Sequence, residues 1–457
     1  MPTASGALPV VGHGAALLRD PMAFLTSLSA YGPLVTVMIG GSPTVFVSDP
    51  GLARQVLTHD RVFDKGGPMV ERARAVVGNG LVGCPHAEHR RQRRLCQPSF
   101  QPERLADYGR HFLEAARVTA AGWRDGQIVD VVAEMQVMAI RAVLDTIFSG
   151  GLPAGVVAPT LADLDTVVGG VFRRMVTPSA LERVPVVGSR GFTEALARLN
   201  RTMESLIEVG RRQAAAGTED PAAAGQGVTD AAENLLGVLI RTVDPEAAGD
   251  ARTARLDRGE LADQVFTFFG AGSETTANTL AWAWELLGRH PEPAGRLWRE
   301  IADAATAGPL THGRLAELDL TDRVVTETLR LRPPAWLIGR RTTEPVDLGG
   351  VSLPVGTDVA VSPVTVHHDP AWYPDPERFD PDRWVGVRPH RERFLAFGGG
   401  PRRCIGDRFA QTEMVAALAV IGSRWRLETV DARPPRVVPG ITLRPRGLRM
   451  RVRAHTA

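Results

Sequence analysis

The chain has a single lysine, Lys65, among 53 lysines and arginines together, so its positive charge is carried almost wholly by arginine. With a net charge of only +2, no global basic field points to nucleic acid or to an anionic membrane. An arginine bias of this kind fits a GC-rich genome. Cysteine is scarce as well: Cys84, Cys96 and Cys404 are the only three, and their scatter gives neither a disulfide framework nor a C-x-x-C metal site. No window approaches the roughly 18 unbroken apolar residues that a membrane span needs. The opening MPTASGALPVVGHGAALLRDPMAFL has no basic leader before a long apolar run, so no signal peptide is read there. A cytoplasmic, reducing location is expected, with no nucleic-acid or membrane partner, and a monomer.

What remains is ordinary globular material, 44% hydrophobic and 23% charged. Residues 34–48 (LVTVMIGGSPTVFVS) read as two short strands joined by a Gly-Gly-Ser turn. From about 100 to 210 the apolar spacing is mostly helical, and 214–227 (AAAGTEDPAAAGQG) reads as an exposed loop. Asp257 with Glu260 forms a capping-box pattern that opens a long helix reaching Arg289, where His290-Pro291 stops it. TDRVVTETLRLR is a second helix ending at Pro333-Pro334. Strand-like pieces fill 340–362 around a Gly349-Gly350 turn, and a buried helix follows Cys404. The fold class is mainly α with small β-sheets, in one domain over 1–457, because no linker separates independent cores.

Three stretches break local rules. FGGGPRRCIG, Phe397 to Gly406, sets Cys404 among glycines beside Arg402 and Arg403, cations that favour a thiolate. Such a thiolate is a nucleophile, a metal ligand or an accident of composition. GAGSETT, Gly270 to Thr276, interrupts the long helix with residues of poor helix propensity. Either a packing kink or a site explains it, and Glu274 beside Thr275 could relay protons. HRRQRRL places His89 and Arg93 on one helical face, where both can donate to an anion. Arg90, Arg91 and Arg94 suit a solvated basic helix or, more sharply, a surface for an acidic partner. Glu327 and Arg330, one turn apart, read alone as a solvated pair.

In this order the pieces resemble the cytochrome P-450 family of heme-thiolate monooxygenases. The family pattern F-G-x-G-x-R-x-C-x-G is met at Phe397, Gly398, Gly400, Arg402, Cys404 and Gly406. The pattern [AG]-G-x-[DE]-T is met at Ala271, Gly272, Glu274 and Thr275, and E-x-x-R at Glu327 and Arg330. The cysteine motif is highly specific; E-x-x-R by itself is not. The family's fold would place heme between the long helix and the cysteine loop. Cys404 would be the axial thiolate on heme iron. Phe397 would shield it and Gly398 would turn the loop. His89, Arg93, Arg340 and Arg402 would reach the propionates, with Arg341 the competing choice in its doublet. Arg383, in F-x-P-[DE]-R-[FW], is preferred over the PERF stretch as the arginine that joins Glu327 and Arg330 in structural support.

The family often has tryptophan where His89 stands, and a histidine still donates there. Glutamate replaces aspartate at Glu274, a common variant. The intact acid–alcohol pair argues against members that rearrange peroxides.

The resemblance implies heme b, O2 and NAD(P)H-derived electrons, with Glu274 and Thr275 delivering protons. No flavin or iron–sulfur segment follows Cys404, so a ferredoxin and a ferredoxin reductase are expected. Pocket candidates are Met69, Val76, Val77, Phe172, Phe268, Phe269, Leu337, Ile338, Gly440 and Ile441, beside Ala271. They are almost all apolar. VFRRMVTP, AWLIGRR and GITLRP resemble members that oxidise cyclic sesquiterpenes in antibiotic and other secondary metabolism. Hydroxylation of a polyketide, macrolide or fatty acid is the alternative. A heme carrier without turnover would not need Glu274 and Thr275, and a terpene cyclase would need an aspartate-rich cluster, whereas no two aspartates are adjacent.

Overall fold

The computed structural model describes residues 1–9, 11–39, 42–148, 154–176, 189–219, 234–247 and 254–455. Within them the chain is mainly helical with small sheets. Its axis is the helix Arg258–Arg289, whose 32 residues at about 1.5 Å each make a rod of roughly 48 Å. Asp257 accepts from the Glu260 amide at 2.8 Å and Glu260 from the Asp257 amide at 3.0 Å, so the capping box closes. The helix Val131–Phe148 lies along this rod, and Asp407–Gly422 lies against Pro102–Gly122. Phe269, Leu280, Trp284, Leu144 and Leu418 meet in the main core, which explains why the rod is apolar on several faces at its middle.

A five-stranded sheet runs in the order Leu34–Ile39, Ser42–Val47, Asp358–Val361, Ile338–Thr342, Phe63–Asp64. The first two strands are antiparallel, as the sequence reading has them, while Gly40 and Gly41 lie outside the described residues. Alternation along Ile338–Thr342 sends successive side chains to opposite sides. Arg340 is 4% exposed, whereas Arg341 turns outward to Asp358 at 3.5 Å. Gly349 and Gly350, at φ of 58° and 78°, make the two-residue turn between Val346–Leu348 and Val351–Leu353.

A hairpin of Arg436–Pro439 and Leu443–Arg446 has Gly440, Ile441 and Thr442 at its tip. That tip is tied down on two sides. The Trp336 indole donates to the Gly440 carbonyl at 3.0 Å, and the Trp282 indole to the Leu443 carbonyl at 3.3 Å.

The reading of 214–227 as a loop needs correction at its start. The helix Ser189–Glu219 continues through the alanines and Gly217, because alanine-rich sequence extends a helix at little cost; 220–227 lie outside the described residues. Among the described residues no helix is long and apolar enough to cross a membrane.

Candidate active site

Gly398 and Gly400 take φ of 68° and 66° in the cysteine loop, a conformation that favours glycine. A Cβ on Gly400 would sit 2.0 Å from the Leu57 carbonyl oxygen, so only glycine lets the loop lie on that neighbouring helix end. The turn closes with the Cys404 amide donating to the Phe397 carbonyl at 2.9 Å, directly before the helix Asp407–Gly422. Phe397 is half-buried and packs onto the main core. Cys404 is exposed, yet the protein around it pushes its thiol pKa upward by desolvation. The Gly406 amide, Arg93 and Arg403 pull the other way. A metal ion would remove the proton outright.

Around the neighbouring helix His86–Cys96 sits a buried cationic cluster. Arg402 donates to Asp64 at 2.7 Å and to the Cys84 carbonyl at 2.6 Å, with Asp60 at 3.4 Å. Arg93 donates to the Arg403 carbonyl. Burial, then Arg402 and Arg93, lowers His89 to about 3. Arg340 falls to about 10 through burial and Arg402. Lys65, absent from the sequence-based set, is lowered to about 7 by burial, Arg340 and Arg402. These groups depress one another because Asp60 and Asp64 do not offset them all. The buried Arg340 Nε has no hydrogen-bond partner among the described residues. A site with surplus buried cations and an orphaned guanidinium nitrogen fits a ligand bearing carboxylates. The cluster and Cys404 therefore fit heme, through its propionates and its iron.

Two of the other three arginines of His86–Cys96 behave differently from either sequence reading. Arg94 is bidentate to Asp244 at 2.8 and 2.9 Å, and Arg91 pairs with Glu260 at 2.5 and 3.1 Å. Only Arg90 is largely exposed, and it lies 3.4 Å from Glu246. Their charge mostly fastens helices together.

On the long helix, Ala271 is exposed at mid-length, and a Cβ on Gly270 would meet nothing within 4 Å. This small-residue face therefore borders open space. The Thr275 hydroxyl donates to the Ala271 carbonyl at 2.7 Å, the ordinary back-bond of a helical threonine. Burial raises the Glu274 pKa, and a hydrogen bond from Thr442 opposes the rise. Phe269, expected in the pocket, is instead fully buried in the core, on the face shared with Ser273 and Thr276. Phe268 does share the face of Ala271 and Thr275, but the Phe100 ring covers it edge-on at 5.1 Å.

Leu337 and Ile338 are half-buried, Ile338 within 3.9 Å of a Cβ built on Gly398. Gly440 is half-buried and Ile441 is 37% exposed. Phe172, half-buried, packs against the core cluster that holds Trp336 and Leu443. Met69, Val76 and Val77 fall on the helix Pro68–Val77, with side chains outside the described residues.

The model of the family described as Cytochrome P450 matches residues 2–452. The chain belongs to that family. It is a heme-thiolate monooxygenase that uses O2 and reducing equivalents. The chain is 41% identical to the pentalenene oxygenase of Streptomyces avermitilis, over 99% of this chain and 97% of that protein. Identity is 39% to the cyclooctatin synthase of Streptomyces melanosporofaciens, over 97% and 92%. It is 39% again to the cyclooctat-9-en-7-ol 5-monooxygenase of that organism, over 96% and 91%. A crystal structure of the cytochrome P450DA heme domain superposes with a TM-score of 0.85 at 25% identity, covering 100% of this chain and 98% of that one.

In this cytochrome P450 the Glu327 and Arg330 side chains are wholly buried and paired at 2.8 and 2.9 Å. Glu327 also accepts from the Trp384 indole at 2.9 Å and the Asp380 amide at 3.1 Å. Arg383 stands 3.5 Å from Glu327, so its contribution is charge, while Trp384 supplies the hydrogen bond. Arg330 donates onward to the carbonyls of His367, Pro376 and Arg378. His367 then reaches the cysteine loop, its Nε2 accepting from the Leu395 amide at 2.7 Å. Sequence reasoning missed Lys65, Thr442, Trp384 and His367 as partners. Lys65 carried a signal in its uniqueness and Trp384 in the motif it ends; Thr442 and His367 carried none.

Proposed function

We propose that this cytochrome P450 hydroxylates a cyclic terpene in secondary metabolism. The observation that carries this reading is the near-complete match, at about 40% identity, to relatives named as a pentalenene oxygenase and as cyclooctatin enzymes. The apolar, partly exposed Leu337, Ile338 and Ile441 support it as pocket candidates. They offer shape and burial without a charge for a fatty-acid carboxylate.

Heme bound to Cys404 supplies the O2 activation and the oxidising power. The chain's own residues do the rest. Arg340, Arg402, His89 and Arg93 would hold the propionates. Ala271 and Gly270 leave open space beside the long helix. Thr275 accepts and donates hydrogen bonds at the oxygen-binding side, and Glu274 holds and releases the proton that the reaction takes up. Phe397 keeps water from the sulfur. The chain works as one domain in the cytoplasm, taking electrons from a ferredoxin and its reductase.

Spectral titration of the purified holoenzyme with cyclic terpene hydrocarbons, fatty acids and macrolides tests the substrate class. A low- to high-spin shift is expected with a cyclic terpene. A shift with a fatty acid or macrolide and none with any terpene would overturn the reading.

A further inference from the structure

Among the described residues no cation pairs directly with Glu274. Its Oε1 accepts from the Thr442 hydroxyl at 2.6 Å, and the Thr442 oxygen accepts from the Asn278 side-chain amide at 2.7 Å. A hydroxyl has one proton to give. With Asn278 donating into Thr442, the Thr442 proton is left for Glu274. Thr442 is 2% exposed and Asn278 fully buried. The tip that carries Thr442 is itself pinned by the Trp336 and Trp282 indoles and by the Leu443 amide on the Pro334 carbonyl at 3.1 Å. Glu274 Oε2 has no hydrogen-bond partner among the described residues, and the side chain is only partly covered.

We propose that Thr442, oriented by Asn278, is the positioning residue of the acid, fixing Glu274 by Oε1 and leaving Oε2 as the oxygen that takes up and releases the proton. This inference rests on the proton-delivery reading of Glu274. It also links the acid to the hairpin tip: Gly440 and Ile441 are partly exposed, and the next residue holds Glu274. The other charges facing Glu274 are Arg444, on the same hairpin, and Asp165, on the helix Ala154–Val176, which stand 3.5 Å apart as a pair. They act on the acid in opposite senses, so Thr442 is the specific partner. Burial raises the Glu274 pKa, and the Thr442 bond is the largest influence lowering it.

Infrared titration of the ferric, substrate-free holoenzyme reads this directly. The protonated carboxyl band of Glu274 is assigned by its loss in Glu274→Gln and followed against pH. Thr442→Val should move the midpoint upward by about one pH unit, since a hydrogen bond to the charged form is lost. Thr442→Ser should restore it. The pH profile of coupling between electron use and product should move with the band. An unmoved midpoint in Thr442→Val, with or without a lower melting temperature, would overturn the proposal. Should that variant not fold, Asn278→Leu removes the orienting donor and carries the same expectation of an upward shift and the same refutation. Peroxide yield in Glu274→Gln tests the underlying reading separately. Unchanged coupling there refutes proton delivery by Glu274, whatever the Thr442 midpoint does.

Discussion

The Thr275 hydroxyl bonds back to its own helix, so the proton-relay role proposed for it carries little structural cost. Among the described residues the Thr275 side chain makes no long-range hydrogen bond, so Thr275→Ala should leave stability within about 0.5 kcal/mol. The same variant should divert electrons to peroxide. Peroxide per NAD(P)H consumed measures it, and full coupling would refute the role. Glu413 presents the opposite case. It is fully buried on the helix after Cys404, neither carboxyl oxygen has a hydrogen-bond partner among the described residues, and burial holds its pKa well above the usual range. The nearby Thr276 hydroxyl acts in the opposite, lowering sense. Folding therefore retains a proton that the unfolded chain loses above about pH 4.3. Above that pH, stability should fall by about 1.4 kcal/mol per unit until the folded group also ionises. Glu413→Gln should remove this slope, which unfolding at pH 5, 6.5 and 8 would show.

At the scale of elements, the E-x-x-R helix acts as a clamp. Glu327 gathers Trp384 and the Asp380 amide, and Arg330 gathers three carbonyls, so one turn of helix fastens the 367–384 segment. Breaking the pair leaves a buried charge alone. Glu327→Ala should cost about 3–5 kcal/mol, visible as heme loss at moderate urea. His367 extends the clamp to Leu395, and burial lowers its pKa to about 3. The unfolded chain binds a proton there below about pH 6.5 while the folded one does not. Stability should therefore be lost as pH falls from 6.5 toward 3, and His367→Gln should shallow that acid limb in a pH series of melting curves. An unchanged limb would show that other groups govern it.

Across the whole molecule, the cationic cluster and the cysteine loop come from chain segments more than 300 residues apart: Arg402 bonds Asp64, and Arg93 bonds Arg403. Assembly of this cradle therefore depends on the complete fold, and heme should stabilise that fold by linkage. Reduced protein under carbon monoxide should show the long-wavelength Soret band of thiolate ligation. Cys404→Ser should lose it while keeping the helical content of the apoprotein.

The family and the helical class were legible without coordinates, because Phe397–Gly406, Glu274–Thr275 and Glu327–Arg330 act within a turn or a tight loop where spacing fixes geometry. Helix periodicity likewise gave the rod and its capping box. Spacing could not say that Phe269 turns to the core while Ala271 stays open, since that depends on which neighbours cover each face. It could not show that Arg91 and Arg94 are occupied by Glu260 and Asp244, or that Trp384 rather than Arg383 hydrogen-bonds Glu327. Nor could it join Thr442 to Glu274 across 168 residues. Sequence alone determined the chemistry available. Tertiary packing decided which group touches which, because burial and long-range hydrogen bonds arise only when distant segments meet.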